Sequence, residues 1–149
     1  MEPYEFIEGH QLVLERFGMW PSFHDGEVHR IVLDRNKRNA AGSAVPTLEI
    51  QIRGWIMTSE VSESGHYHYK QAHDSVVHFV FEDVFDLELE GFNHQNVLSS
   101  LNLAIGSESE DGGSALHVEL EHCYQFCGEF SACKAKVLKV VPYVQGEDG

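Results

Sequence analysis

The sequence predicts an α+β protein in which a mostly antiparallel β-sheet of five to six strands carries an N-terminal amphipathic helix and one short inserted helix. Apolar residues recur at helical spacing near the N-terminus, for example at Phe6, Leu14 and Phe17. Further along, apolar and polar residues alternate over several segments, which is typical of strands with one buried face. Long helices do not separate these strands regularly, so a parallel doubly wound sheet is not expected.

The two helices are predicted from spacing and from capping residues. The first covers residues 4–17, and Gly18 is its expected stop. Gly9 lies inside this span and should cost about 1 kcal/mol relative to alanine. The second helix is predicted over residues 92–101, with Asn93 as its N-cap.

Strands are predicted from alternation and from β-branched content. They cover residues 27–35, 48–56, 77–89, 116–126 and 130–141. A break at residues 82–84 indicates a bend or a bulge between two strand halves. Residues 59–74 form either a long polar loop or two strand ends joined by a flexible tip, and residues 107–114 form a loop.

Charge and length restrict the class of protein. The chain has 149 residues, with 10 Lys and Arg against 24 Asp and Glu, for a formal net charge of -14. This length predicts a single domain over residues 1–149 that needs neither disulfides nor a structural metal. A strongly negative chain repels nucleic acid and anionic membranes and accelerates encounter with basic partners. We therefore expect no nucleic-acid partner and no membrane partner. No cofactor is expected either.

The cysteines and the N-terminus suggest a cytoplasmic protein. Cys123, Cys127 and Cys133 follow a C-x3-C-x5-C spacing, which differs from the paired C-x2-C of common zinc sites. We expect reduced, partly buried thiols. Residues 1–10 lack a basic segment followed by an apolar run, so no signal peptide is expected. No stretch reaches the roughly 18 apolar residues of a membrane helix.

The segment W-P-S-F-H-D-G-E-V-H, residues 20–29, is the densest in chemically active side chains. Trp20 and Phe23 are predicted to anchor a helix-to-strand corner on the core, and His24 can bridge by hydrogen bonding. Asp25 should accept backbone hydrogen bonds in a turn where Gly26 takes positive φ. The residues assigned to this structural motif are Trp20, Phe23, His24, Asp25 and Glu27.

The same segment has an alternative interpretation as a metal or acid–base site. His29 lies two residues from Glu27 on a predicted strand, so both would share a face. Histidines of residues 66–78 could add ligands for a divalent metal. No phosphate-binding loop, nucleophile elbow or H-E-x-x-H helix accompanies them. We predict no metal site and no enzymatic activity, with a histidine-rich metal-binding protein or metal-dependent enzyme as the alternative.

An acidic stripe occupies residues 82–90. Its carboxylates on alternate positions would lie about 7 Å apart on one strand face and repel each other. Such a face can be merely solvated and discourage edge pairing, or it can meet a cationic partner. If it binds a partner, the predicted contact residues are Asp83, Asp86, Glu88 and Glu90, with Tyr67 and Tyr69 as aromatic anchors.

Two blocks of sequence resemble the immunity protein 50 family. They are W-P-S-F-H-D-G-E-V followed by I-V-L-D-R, and F-E-D-V-F-D-L-E-L-E-G-F-N-H-Q-N-V-L at residues 81–98. Gly26 stands where another small residue, Ala or Ser, would be expected. The resemblance implies a small bacterial immunity protein of a polymorphic-toxin system that neutralises a cognate toxin, such as a basic nuclease, and it implies no catalytic residue. An interaction domain without a toxin partner is a third interpretation.

Overall fold

The computed structural model describes residues 2–61, 65, 67–106 and 113–144, and the side chains of residues 58–61 and 67–70 lie outside this description. A 3-10 turn at Pro3–Phe6 precedes helix α1 at His10–Phe17. Six strands follow: β1 at Glu27–Asp34, β2 at Thr47–Val61, β3 at Tyr67–Glu90, β4 at Leu98–Gly106, β5 at Ala115–His122 and β6 at Cys127–Pro142. The predicted α+β class with a mostly antiparallel sheet is confirmed.

The strands form one antiparallel sheet in the order β1-β2-β3-β6-β5-β4. Its two edge strands meet at one end, because the N–H of Val28 donates to the carbonyl of Asn96 at 2.9 Å and the N–H of Leu98 donates to the carbonyl of Gly26 at 2.8 Å. The sheet therefore curls back on itself as a partly closed barrel around the apolar core.

The strands that the sequence predicts well have buried side chains at alternate positions. On β2, Leu48, Ile50 and Ile52 are at most 1% exposed, whereas the residues between them are only half-buried. On β3, Phe79 stacks on Phe81 with 5.8 Å between ring centroids. One face of each strand thus supplies the core, which is the consequence of a period of two. Of the two interpretations of residues 59–74, the structure shows two long strand ends.

The N-terminal helix is shorter than predicted, since it begins at His10 and not at residue 4. Gly9 adopts φ of 84°, and a Cβ there would lie 2.7 Å from the carbonyl oxygen of Val137. The N–H of Glu8 donates to Ala135 O at 2.9 Å. Glu8 therefore forms a β-bridge with β6 and is not part of the helix. Among the described residues, no helix combines the length and apolarity needed to cross a bilayer.

The short helix predicted over residues 92–101 is wrong. A loop occupies residues 91–97, and β4 follows at Leu98. The side chain of Asn93 accepts from the N–H of Gln95 at 2.9 Å. Asn96 is 3% exposed, and its amide nitrogen donates to Val28 O at 3.2 Å. These asparagines stabilise a turn, because short polar side chains compete with helical backbone bonds.

The corner that follows α1 is held by aromatic packing. Phe23 is 1% exposed and makes edge-to-face contacts with Trp20 and Phe79, each at 6.3 Å. Trp20 also stacks on Tyr4 at 5.1 Å. A Cβ at Gly54 would lie 2.6 Å from the Phe23 ring, so the absence of a side chain at this position of β2 makes room for Phe23. Rings of this size dominate the burial energy of a small core.

The expected backbone of the turn is wrong in one respect. Phe23 and Asp25 have φ of 60°, whereas Gly26 is not among the residues with positive φ. A Cβ at Gly26 would lie 2.5 Å from the carbonyl oxygen of Arg53 and 2.8 Å from that of Phe23. Glycine is needed here because two backbone carbonyls approach closely, and not because of a left-handed conformation.

We predict that Gly26→Ala destabilises the fold by about 1–3 kcal/mol, because neither carbonyl can move without shifting the backbone. Urea unfolding followed by tryptophan fluorescence measures the change. Gly106→Ala is the matched control, since its Cβ would meet only atoms at 3.6 Å or beyond, and it should leave the unfolding midpoint nearly unchanged. Equal effects of the two substitutions would contradict the explanation.

Candidate partner-binding surface

The acidic stripe lies on the second half of β3, where the strand is irregular. Asp83 and Asp86 have φ of 56° and 54°, and the register with β6 shifts between Phe85 and Glu88. The register with β6 does not shift at residues 82–84, where a bend or bulge was expected, and the irregularity lies further along the strand, between Phe85 and Glu88. Leu87 lies within this shift and is 36% exposed, so the alternation of apolar and polar residues does not place every apolar side chain of this segment in the core.

Three glutamates lie directly opposite one another across three neighbouring strands. Glu88 on β3 pairs with Glu129 on β6, and Glu129 pairs with Glu119 on β5. Directly opposed side chains have Cβ atoms about 4.5–5.5 Å apart, and like charges in such pairs are destabilising. The row thus concentrates negative charge at a cost in stability.

This row lies in an open concavity of about 670 Å³. Leu87, His122 and Cys127 also line it. Its acidic lining, which we call the acidic face, consists of Glu88, Glu90, Glu119, Glu121 and Glu129.

Neighbouring polar groups keep part of the acidic face ionised. The hydroxyl of Ser100 donates to Glu121 Oε2 at 2.7 Å, and the Asn102 amide donates to the same oxygen at 2.9 Å. These two hydrogen bonds lower the pKa of Glu121, because they stabilise the carboxylate. Asn102 also donates to Glu119 Oε1 at 2.8 Å. The side chains of β4 therefore support the charged form of the β5 carboxylates.

The Cys127 thiol of β6 and the His117 imidazole of β5 each lie close to a carboxylate of the acidic face. Partial burial raises the pKa of the Cys127 thiol, and the negative charge of Glu90 raises it further. Cys127 Sγ lies 3.9 Å from Glu90 Oε2. His117 Nε2 lies 3.5 Å from Glu129 Oε2. The thiol is thus held protonated beside carboxylates, which does not suit a nucleophile.

The other predicted partner-binding residues are divided between the two parts of β3. Asp83 and Asp86 are exposed on the irregular segment. Tyr67 and Tyr69 belong to the first residues of β3, and their side chains lie outside the described part of the chain. Their role as aromatic anchors stays a prediction.

The polar residues of the corner do not converge. His24 is exposed, and its Nδ1–H donates to Ser99 O at 2.8 Å. Its Nε2 lies 3.6 Å from Asp25 Oδ2. Glu27 lies opposite Arg53 of β2. In the part of the chain that the structure describes, no group of three or more His, Cys, Asp or Glu is arranged to hold a metal, so the metal-site alternative is not supported.

Sequence reasoning missed Glu119, Glu121 and Glu129. The alternation L-H-V-E-L-E-H of β5 does place Glu119 and Glu121 opposite to the buried side chains, so part of the signal is present. Their proximity to the stripe depends on the pairing of β6 with both β3 and β5, and this pairing cannot be predicted from the pattern of residues within any one strand.

We predict that Glu129→Gln stabilises the fold at low salt by roughly 0.2–1 kcal/mol, because it removes the charge opposite both Glu88 and Glu119. Urea unfolding at low and high salt measures the effect, which should shrink as salt screens the repulsion. Glu82→Gln is the control, since Glu82 lies opposite Lys134 and its loss should not stabilise. If Glu129→Gln proves neutral or destabilising at low salt, repulsion in the row is not significant.

We also predict that Asn102→Ala raises the pKa of Glu121 towards its ordinary value, since the carboxylate loses a donor. Because the folded-state pKa is lowered, the contribution of Glu121 to stability is present above the unfolded-state pKa and is lost as pH falls through the folded-state pKa. Carboxyl carbon NMR titration measures the pKa. Asn36→Ala, remote from Glu121, should leave it unchanged, and an unaltered pKa in Asn102→Ala would show that the amide is not a cause.

Comparison with known proteins places these features in a family. The family model described as immunity protein 50 matches residues 9–143, which include α1, all six strands and the acidic face. No curated protein and no solved structure matches the chain significantly. On this match, which covers most of its length, the chain belongs to the immunity protein 50 family.

Proposed function

We propose that this protein neutralises a cognate bacterial toxin by binding it through the acidic face and occluding it, without catalysis of its own. The observation that carries the proposal is the row of directly opposed Glu88, Glu129 and Glu119. A protein selected for stability alone gains nothing from such a row, whereas a binding surface can retain destabilising residues.

A cationic partner would reverse the electrostatic balance of this surface. In the unbound protein the carboxylates repel each other, and donors from Ser100 and Asn102 help to keep Glu121 charged. Basic side chains of a toxin would neutralise the repulsion on binding, so part of the cost in the unbound state is recovered in the complex. Long-range attraction would also accelerate encounter.

The chemistry of the surface suggests the class of toxin. A basic cleft that binds phosphate groups would be complementary to the acidic face, so a nuclease is the favoured partner. Occlusion of that cleft would block substrate without any reaction. The proposed location is the cytoplasm, where reduced cysteines persist.

Co-expression with the product of the neighbouring gene tests the proposal, since we expect that gene to encode the toxin. The wild-type protein should rescue growth. The triple variant Glu88→Gln, Glu119→Gln and Glu129→Gln should protect poorly, with an association rate reduced by about tenfold or more at low salt.

A control variant with the same change in net charge is Glu2→Gln, Glu5→Gln and Glu15→Gln, all at exposed positions of the N-terminal turn and helix. It should protect like the wild type. If the wild-type protein does not rescue cells, the proposed function is wrong. If both triple variants lose protection equally, net charge and not the acidic face is responsible.

A further inference from the structure

The bulge in β3 turns an apolar residue outwards beside the acidic face. In strict alternation Leu87 would lie on the same face as Phe85 and Leu89. Leu87 instead lies within the register shift between Phe85 and Glu88 and is 36% exposed, whereas Leu89 packs against the core. Bulges re-aim side chains and are over-represented next to functional sites.

Leu87 forms one wall of a groove that lies next to the acidic concavity. The groove has a volume of about 270 Å³, and its apolar lining is Leu33, Pro46, Val84 and Leu87. Leu33 is 54% exposed. The N–H of Val84 donates to the carbonyl of Pro46 at 3.0 Å, so a backbone hydrogen bond holds one wall of the groove against β3.

Leu87 lines both the groove and the acidic concavity. The groove therefore adjoins the acidic face, and the exposed Asp86 and Glu88 flank Leu87 in the chain. Its volume lies below the roughly 300–1,000 Å³ of small-molecule pockets, which favours a single side chain as the occupant. Interfaces commonly place such an apolar anchor in a small pocket beside polar contacts.

We propose that this groove receives one aliphatic side chain of a protein partner whose surrounding surface is basic. The proposal rests on the proposed function for the identity of the partner as a toxin, but not for its chemistry. The carboxylates attract the basic surface, and the groove fixes the register of binding by burying the apolar anchor.

Two five-residue peptides test the proposal without the toxin. One is Arg-Arg-Leu-Arg-Arg, and the other replaces its leucine with serine. Both should shift backbone amide NMR signals of Glu119 and Glu129. Only the leucine peptide should also shift those of Leu33, Val84 and Leu87, and it should bind roughly tenfold more tightly, the difference expected for burial of one leucine.

Substitutions locate the effect in the groove. Leu33→Ala, on a different strand from the acidic face, should abolish the preference for leucine while leaving the binding of the serine peptide unchanged. Leu87→Ala should also abolish the preference for leucine. Leu138→Ala is the matched control, because Leu138 is 49% exposed on β6 outside the groove, and it should retain the preference. Two groove variants guard against an effect caused by misfolding of one of them.

The proposal is overturned if the two peptides bind equally or shift the same amides, or if neither groove variant changes the preference. This outcome differs from failure of the proposed function, which is measured by growth rescue. If the protein prefers the leucine peptide but does not rescue growth, the groove proposal stands and the proposed function is wrong. If it rescues growth but shows no preference for leucine, the proposed function stands and the groove proposal is wrong.

Discussion

At Gly26 the chain lies so close to the carbonyl oxygens of Arg53 and Phe23 that no side chain fits. With no Cβ at this position, the chain turns from the aromatic corner into β1 while lying against Arg53 of β2. The same turn bonds to Leu98 through the carbonyl of Gly26, and Val28 bonds to Asn96 two residues later. These bonds bring the two edges of the sheet together, so a flat sheet becomes a partly closed barrel with a sheltered core.

The outer surface of this barrel shows a conflict between stability and charge. The core is well filled, with Phe81 packed edge-to-face on Phe130 at 4.9 Å. On the outer side of the sheet, Glu88, Glu129 and Glu119 lie directly opposite one another on β3, β6 and β5. Local rules that agree elsewhere in the fold are broken here, which is expected where a surface is selected for binding. Membership of the immunity protein 50 family is consistent with that interpretation.

The irregular half of β3 connects this surface to the apolar groove. Asp83 and Asp86 adopt a left-handed backbone, which aspartate tolerates better than most residues because its short polar side chain can bond locally. The bulge that follows changes which side chains face outwards and leaves Leu87 between the acidic concavity and the groove. Charge and apolar surface are thus adjacent because of backbone geometry in a few residues.

The sequence alone is enough to predict the α+β class, the positions of most strands and the aromatic residues of the corner, because burial on one face of a strand leaves a local pattern with a period of two. It misassigned residues 92–101, where asparagine turns compete with helix formation, and it extended the helix past Gly9. The position of β6 between β3 and β5, which assembles the acidic face, is visible only in the folded protein. The reason is that strand order depends on pairing between distant segments, and the alternation within one strand contains no information about its neighbour.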